Sequence, residues 1–317
     1  MLKGVNSMIE KPMDVLEQFP VRKSKQQKQA FRDAIDAYVK TLGYTATIEK
    51  KSNAHNIVIG DSSNAKYLIT AHYDTPASMP FPNFITPCNL PMYLLYQFLV
   101  VGALLLVSCG TAVLVGAVTG IYEAGLLTWY IIYFGFLFLM MFGPANKNNA
   151  NDNTSGVVTV LETAASMPEH LRSQVCFVLF DLEEAGLVGS AAYRKMHKAE
   201  TEQQVVLNLD CVGDGNEIVM FPNKKLKKDT EKMNALAAVC CELDNKKLSL
   251  HTQGFSVCPS DHKNFPLGVG IMAFNRKKTI GLYCDKIHTN KDTVLDENNV
   301  IFLRDTLIRL ISAAVQV

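Results

Sequence analysis

Residues 177–190 read FVLFDLEEAGLVGS, and the interpretation of this stretch decides the fold. The apolar run Cys176–Phe180 leads through Asp181 and Leu182 into the adjacent carboxylates Glu183 and Glu184, and then into Gly186. A short continuous apolar run closed by a turn signal reads as a buried strand. Two side-by-side carboxylates at the end of such a strand are costly to desolvate. Either they belong to a solvated loop, or residues elsewhere in the chain bring a counter-charge such as a metal ion to them.

Working outward, the same pattern recurs. Tyr67–His72 (YLITAH) and Val205–Leu209 (VVLNL) are buried-strand patterns that end at His72 and Asp210, and Val269–Phe274 is another. Shorter strand-like segments lie at Ala46–Lys50 and Asn56–Gly60. Helical spacing marks Lys28–Leu42, Gly156–Met167, Ser190–Lys198, Glu231–Leu243 and the closing segment Asn299–Val317. Strands alternating with helices predict an α/β fold, a three-layer sandwich with a largely parallel central sheet.

One segment belongs to a different solvent. Between Thr75 and Asn146 the only Asp, Glu, Lys or Arg is Glu123, although the chain carries 31 basic and 30 acidic residues. Met92–Val118 and Ala124–Phe142 are uncharged runs of 27 and 19 residues. About 20 helical residues span a hydrocarbon core, so the two runs predict a transmembrane helical hairpin inserted at 85–145. It divides a catalytic domain into parts 1–84 and 146–317, with residues 92–142 in contact with the bilayer. Trp129, Tyr130 and Tyr133 lie near one end of the second run, where interfacial aromatics belong. The connection Thr119–Glu123 has no Lys or Arg, and Lys147 follows the hairpin. This asymmetry predicts a multi-pass cell-membrane protein with its hydrophilic bulk facing the cytoplasm. The N-terminus lacks a continuous apolar core, so no signal peptide is expected. A net charge of +1 offers no global field for nucleic acid. The 8 cysteines show no pairing pattern, and no disulfide framework is expected.

Polar residues collect at strand ends: His72 and Asp74, Glu183 and Glu184, and Asp210, joined by Asp152 in the loop GPANKNNANDNTSG and His288 in KIHTNKDT. Ligands of open α/β sheets sit beyond the carboxyl ends of strands. Two histidines with several carboxylates suit a divalent cation such as zinc. A carboxylate bridging two metals would set them about 3.5–4 Å apart and give the paired glutamates their counter-charge.

The ordered motifs HYD, NDNTSG, DLEEAGLVGS, NLD, SDH and IHT resemble the M28 family of zinc aminopeptidases over the chain outside the hairpin. The resemblance implies two zinc ions per chain and a peptide substrate. Asp152 would bridge both zincs, with His72 and Asp210 completing one site and Glu184 and His288 the other. Glu183 would be the general base that takes a proton from water and delivers it to the leaving amine. Asp74, two residues along an extended segment from His72, would lie on the same side and fix the imidazole. Asp261 and His262 of SDH would line the substrate pocket. Two departures stand out. The hairpin fills a gap that is usually a short loop, and FSVCPSDHKNF has Phe255 and Val257 but lacks the tyrosine with which some members stabilise the oxyanion. His262 is a candidate donor in its place. A glutaminyl cyclase on the same fold, an inactive receptor or scaffold, and a dipeptidase or carboxypeptidase are the competing functions.

Overall fold

The computed structural model describes residues 9–315. The signal-peptide reading falls partly on residues 1–8, and the end of the closing helix on residues 316–317; both lie outside the described residues. In chain order the elements are α1 (Asp14–Gln18), α2 (Lys25–Thr41), β1 (Ala46–Lys51), β2 (Ala54–Ile59), β3 (Tyr67–His72), α3 (Leu90–Thr119), α4 (Tyr122–Phe142), α5 (Gly156–Ser166), β4 (Val175–Phe180), α6 (Val188–Met196), β5 (Val205–Leu209), β6 (Glu217–Pro222), α7 (Thr230–Ala238), β7 (Glu242–Leu243), β8 (Lys246–Leu250), β9 (Gly268–Lys277), β10 (Gly281–Tyr283) and α8 (Glu297–Val315).

The sheet has 10 strands in the order β1-β2-β4-β3-β5-β9-β6-β8-β7, with β10 paired to β9. Its centre, β4-β3-β5-β9, is parallel throughout. Every residue of β3, β4 and β5 is buried, which is why these strands read as unbroken apolar runs rather than alternating ones. The flanks are mostly antiparallel: β1–β2 and β2–β4 on one side, β6–β9 and β7–β8 on the other.

Alternation along β4 builds the layers. Val175, Phe177 and Leu179 face a core shared with Phe31 and Ile35 of α2, Val157 and Leu161 of α5, and Leu303 and Leu307 of α8. Cys176, Val178 and Phe180 face the opposite way, against Tyr193 of α6 and Phe265. The predicted three-layer sandwich with a largely parallel sheet is the fold observed.

One expected element differs. The helix anticipated over Glu231–Leu243 stops at Ala238, and Glu242–Leu243 is a strand. Asp244 and Asn245 both take positive φ, 48° and 67°, and close a two-residue hairpin onto β8. Such turns favour these residue types. Strands β6, β8 and β10 are further elements that the periodicity reading did not single out.

Helices α3 and α4, 30 and 21 residues long, are long and apolar enough to cross a membrane. They pack together through small residues: a Cβ placed on Gly125 would lie 2.6 Å from the Ala112 carbonyl oxygen. Their outer faces are open, with Phe98 70% and Leu106 77% exposed. Core helices of a soluble domain would instead be buried. Segments flanking the hairpin are tied to the body. Ile85 pairs with Cys284, and Ala77 with Ala145. The Met79 amide donates to the His288 carbonyl at 2.7 Å, and the Val257 amide to that of Pro87 at 2.8 Å. All 8 cysteines are free.

Candidate metal centre

Because β4, β3 and β5 are parallel neighbours, Glu183–Glu184, His72 and Asp210 emerge at one edge of the sheet. The loop before α5 brings Asp152 to the same place, and the segment after β10 brings His288. Two sets of potential ligand atoms form, His72/Asp152/Asp210 and Asp152/Glu184/His288, and Asp152 belongs to both. It offers a different oxygen to each. His72 Nε2 lies 3.3 Å from Asp152 Oδ1 and 3.7 Å from Asp210 Oδ1. His288 Nε2 lies 3.1 Å from Asp152 Oδ2 and 3.5 Å from Glu184 Oε2. Glu183 also reaches the cluster, with an oxygen in a set with His72 and Glu184.

These donor types and spacings fit zinc. Tetrahedral bonds of 2.0–2.1 Å place neighbouring ligand atoms about 3.3 Å apart, close to the separations seen. His72 Nδ1 lies 3.1 Å from the Asp74 carbonyl oxygen. A carbonyl only accepts, so Nδ1 carries the proton and Nε2 is the atom presented to the two carboxylates. Glu184 Oε1 is buried without a hydrogen-bond partner. Burial opposes charge on His72, but Glu183, Asp152 and Asp210 outweigh it and raise its pKa well above the ordinary value. Burial likewise opposes charge on His288, and Glu184 and Asp152 lift it to about 9. Glu184 is pushed up to about 8, chiefly by burial. A buried knot of carboxylates recruits positive charge, and divalent cations satisfy it more fully than two imidazolium protons.

The supporting residues come from farther along the chain. The Asp74 carboxylate was expected to fix the His72 ring. Its Oδ1 lies 3.6 Å from His72 Nδ1, its oxygens also accept from the Glu183 and Glu184 amides at 3.0 and 3.3 Å, and its main-chain carbonyl is the nearer partner of the ring. Asp292 holds the Asp152 loop in the same manner, accepting from the Asn151 and Asp152 amides at 2.7 and 3.0 Å. Asn153 donates to the Leu209 carbonyl at 2.9 Å and accepts from the Cys211 amide at 3.2 Å, which ties that loop to the end of β5. Ser260 donates to Asp210 Oδ2.

Sequence reading missed Arg22, which is fully buried. It donates to the carbonyls of Tyr73 at 2.5 Å and Phe19 at 2.6 Å and to Thr154 Oγ1 at 3.1 Å, joining the segments that carry His72 and Asp152. Burial lowers its pKa to about 10, against the fields of Asp74 and Asp152. Arg22→Met keeps the apolar stem but orphans three acceptors. It should destabilise the protein by about 3 kcal/mol, seen as a thermal midpoint several degrees lower. An unchanged midpoint would mean that the strap is held by other contacts. No local pattern marks Arg22, whereas Asp292 lies four residues after His288 and was open to notice.

Asp261 and His262 part company. Asp261 is fully buried and accepts from Ser190 Oγ; its other oxygen has no partner, and its field reaches Glu183. Burial raises its pKa to about 7. His262 has no accessible surface and packs its ring against Gly270, where an added Cβ would meet ring atoms at 2.5 and 2.7 Å. Its two ring nitrogens are buried without hydrogen-bond partners, and the ring is closed off from solvent in this structure.

An α/β sandwich with histidines and carboxylates gathered at the carboxyl ends of its central strands defines the zinc-exopeptidase class of fold. The chain belongs to peptidase family M28, whose model matches residues 138–304. It is therefore a metallopeptidase-type protein. Among solved structures it is similar to the Legionella pneumophila aminopeptidase LapA, at 13% identity and a TM-score of 0.55, covering 97% of this chain and 70% of that one. A zinc-dependent exopeptidase from Parabacteroides distasonis matches at 15% identity and a TM-score of 0.55, covering 92% of each chain. A Bacteroides thetaiotaomicron glutaminyl cyclase bound to N-acetylhistamine matches at 14% identity and a TM-score of 0.57, covering 95% of this chain and 94% of that one. The comparison with curated proteins finds no match. The same fold carries peptidases and cyclases, so the choice between them rests on the site.

Proposed function

We propose that this protein is a membrane-anchored dizinc aminopeptidase that removes N-terminal residues from peptides. The observation that carries the reading is Asp152, one carboxylate giving one oxygen to each of two His/carboxylate sets. A cyclase that works with one zinc has no need of the second set. Zinc bound at these sets would supply a polarised substrate carbonyl and a water of lowered pKa.

The chain's own residues do the rest. His72, Asp152 and Asp210 would hold one ion, and Asp152, Glu184 and His288 the other. Asp74 and Asp292, by gripping main-chain amides, keep the turn of the two glutamates and the Asp152 loop in register. The Glu183 carboxylate takes the proton of the attacking water and passes it to the amine nitrogen as the C–N bond breaks. Metal analysis and a peptide digest of the detergent-purified enzyme test this. Two zincs per chain and stepwise loss of N-terminal residues are expected. One zinc per chain with ammonia released from N-terminal glutaminyl peptides would replace this reading with the cyclase.

Helices α3 and α4 are read as spanning the bilayer with both ends on the cytoplasmic side. The Met79–His288 hydrogen bond places the hairpin's base against the segment that carries a proposed ligand. An anchor there holds the cleft near the membrane, which favours apolar or membrane-associated peptides by raising their effective concentration. Replacing residues 90–142 with a Gly/Ser linker leaves the hydrogen-bonded residues 85–89 in place. Turnover of a soluble aminoacyl amide should survive within a few-fold, while cleavage of a bilayer-embedded peptide should fall at least tenfold. Equal losses on both substrates would remove the membrane-substrate idea.

A further inference from the structure

A cavity of 680 Å³ opens beside the turn of the two glutamates, lined by the start of α2, the β1–β2 turn, and Asp181 and Leu182 after β4. Lys23, Lys25, Lys28 and Arg32 line it, and Asp181 is the one carboxylate among its lining residues. That carboxylate is already engaged: Oδ1 accepts from Lys28 Nζ at 2.5 Å, and Oδ2 from the His55 amide at 3.1 Å. Among the described residues Arg32 donates only to neutral oxygens, Tyr73 Oη at 2.9 Å and Gln29 Oε1 at 2.8 Å. Lys23 donates to the Met141 carbonyl at 3.1 Å, and Lys25 has no carboxylate partner among the described residues. Lys28 is paired with Asp181, and the fields of Glu184 and Asp74 reach Lys23. Lys25 and Arg32 have no carboxylate partner among the described residues, so the cavity keeps an excess of positive charge to which the amino end of α2 adds.

The location identifies the anion. Met141 lies in the last turn of α4, and the adjoining Phe142 is 56% exposed. Lys23 thus marks the level at which the apolar surface of the hairpin ends. Phosphate groups of a bilayer occupy that level, where each nearby lysine or arginine adds to the attraction of anionic lipid.

We propose that this cavity binds the phosphate of an anionic phospholipid headgroup. The proposal rests on the membrane-spanning reading of α3 and α4. The test titrates the detergent-purified full chain with dihexanoyl phosphatidylglycerol, dihexanoyl phosphatidylcholine and inorganic phosphate, each followed by calorimetry. Phosphatidylglycerol should bind at least tenfold more tightly than phosphatidylcholine. The double variant Lys23→Gln/Lys25→Gln should weaken it by roughly fivefold per lysine, and Lys25→Gln should do so with turnover of a soluble aminoacyl amide unchanged. Lys25→Gln alone, at an exposed position, gives the same readout should the double variant fold poorly. Equal affinity for the two lipids, or unchanged affinity in the variants, would overturn the proposal. Inorganic phosphate binding as tightly as the lipid would overturn the lipid source and leave a free-anion site. Alkaline carbonate extraction of native membranes separates the two readings. Chain released to the supernatant removes the membrane reading itself, whereas chain that stays integral yet shows no lipid preference removes only the cavity.

Discussion

In Glu183→Gln, kcat should fall by ~10²–10⁴ while the zinc content stays at that of the parent enzyme. Glutamine matches the shape of glutamate but cannot take up a proton under turnover conditions. The turn that carries it is held from elsewhere, because the Asp74 carboxylate accepts from the amides of Glu183 and Glu184, whatever their side chains. The substitution should therefore spare the fold and both ligand sets and remove only the proton acceptor. The neighbouring variant separates the two glutamates. Glu184→Gln should lose zinc from the His288 set, since Glu184 Oε2 lies 3.5 Å from His288 Nε2. A reversed outcome, with metal lost in Glu183→Gln and kept in Glu184→Gln, would exchange the roles. Near-normal turnover of Glu183→Gln at full zinc loading would move the base elsewhere. Asp261, the other buried carboxylate with an unpartnered oxygen beside it, would then be the next to substitute.

Asp152→Ala should empty both zinc sites together and lower kcat/KM by on the order of 10³ or more. The several kcal/mol of charge stabilisation lost with the metals correspond to a factor of that size. The two histidines face different oxygens of this one carboxylate, at 3.3 and 3.1 Å, so neither set is complete without it. Its loop should remain in place, because Asp292 grips main-chain amides and Asn153 ties the loop to β5. His288→Ala removes a ligand from one set only and should leave about one tightly held zinc. Two tightly bound ions in Asp152→Ala, measured by elemental analysis after gel filtration, would end the bridging assignment.

Among residues, those whose signal is local were legible in the sequence. The strands β3, β4 and β5 could be read because burial on both faces leaves no polar alternation, and their parallel pairing sets His72, Glu183–Glu184 and Asp210 on one edge. The hairpin could be read from composition alone, because Glu123 is the only charged residue between Thr75 and Asn146. Asp152 and His288 entered through the ordered motifs, and tertiary structure brought both to the cluster. The β7–β8 hairpin was misjudged because helical spacing continues past Ala238 until the backbone turns at Asp244–Asn245. Contacts between segments distant in sequence were decided by tertiary structure alone. Arg22 reaches Tyr73 and Thr154. Asp74 holds the glutamate turn 109 residues away. His262 turns into the sheet against Gly270 while the adjacent Asp261 stays beside the cluster. The physical reason is common to the first two. Periodicity and composition record which solvent a segment meets, whereas a buried polar group is directed by whichever donor or acceptor the packed chain brings within hydrogen-bonding distance.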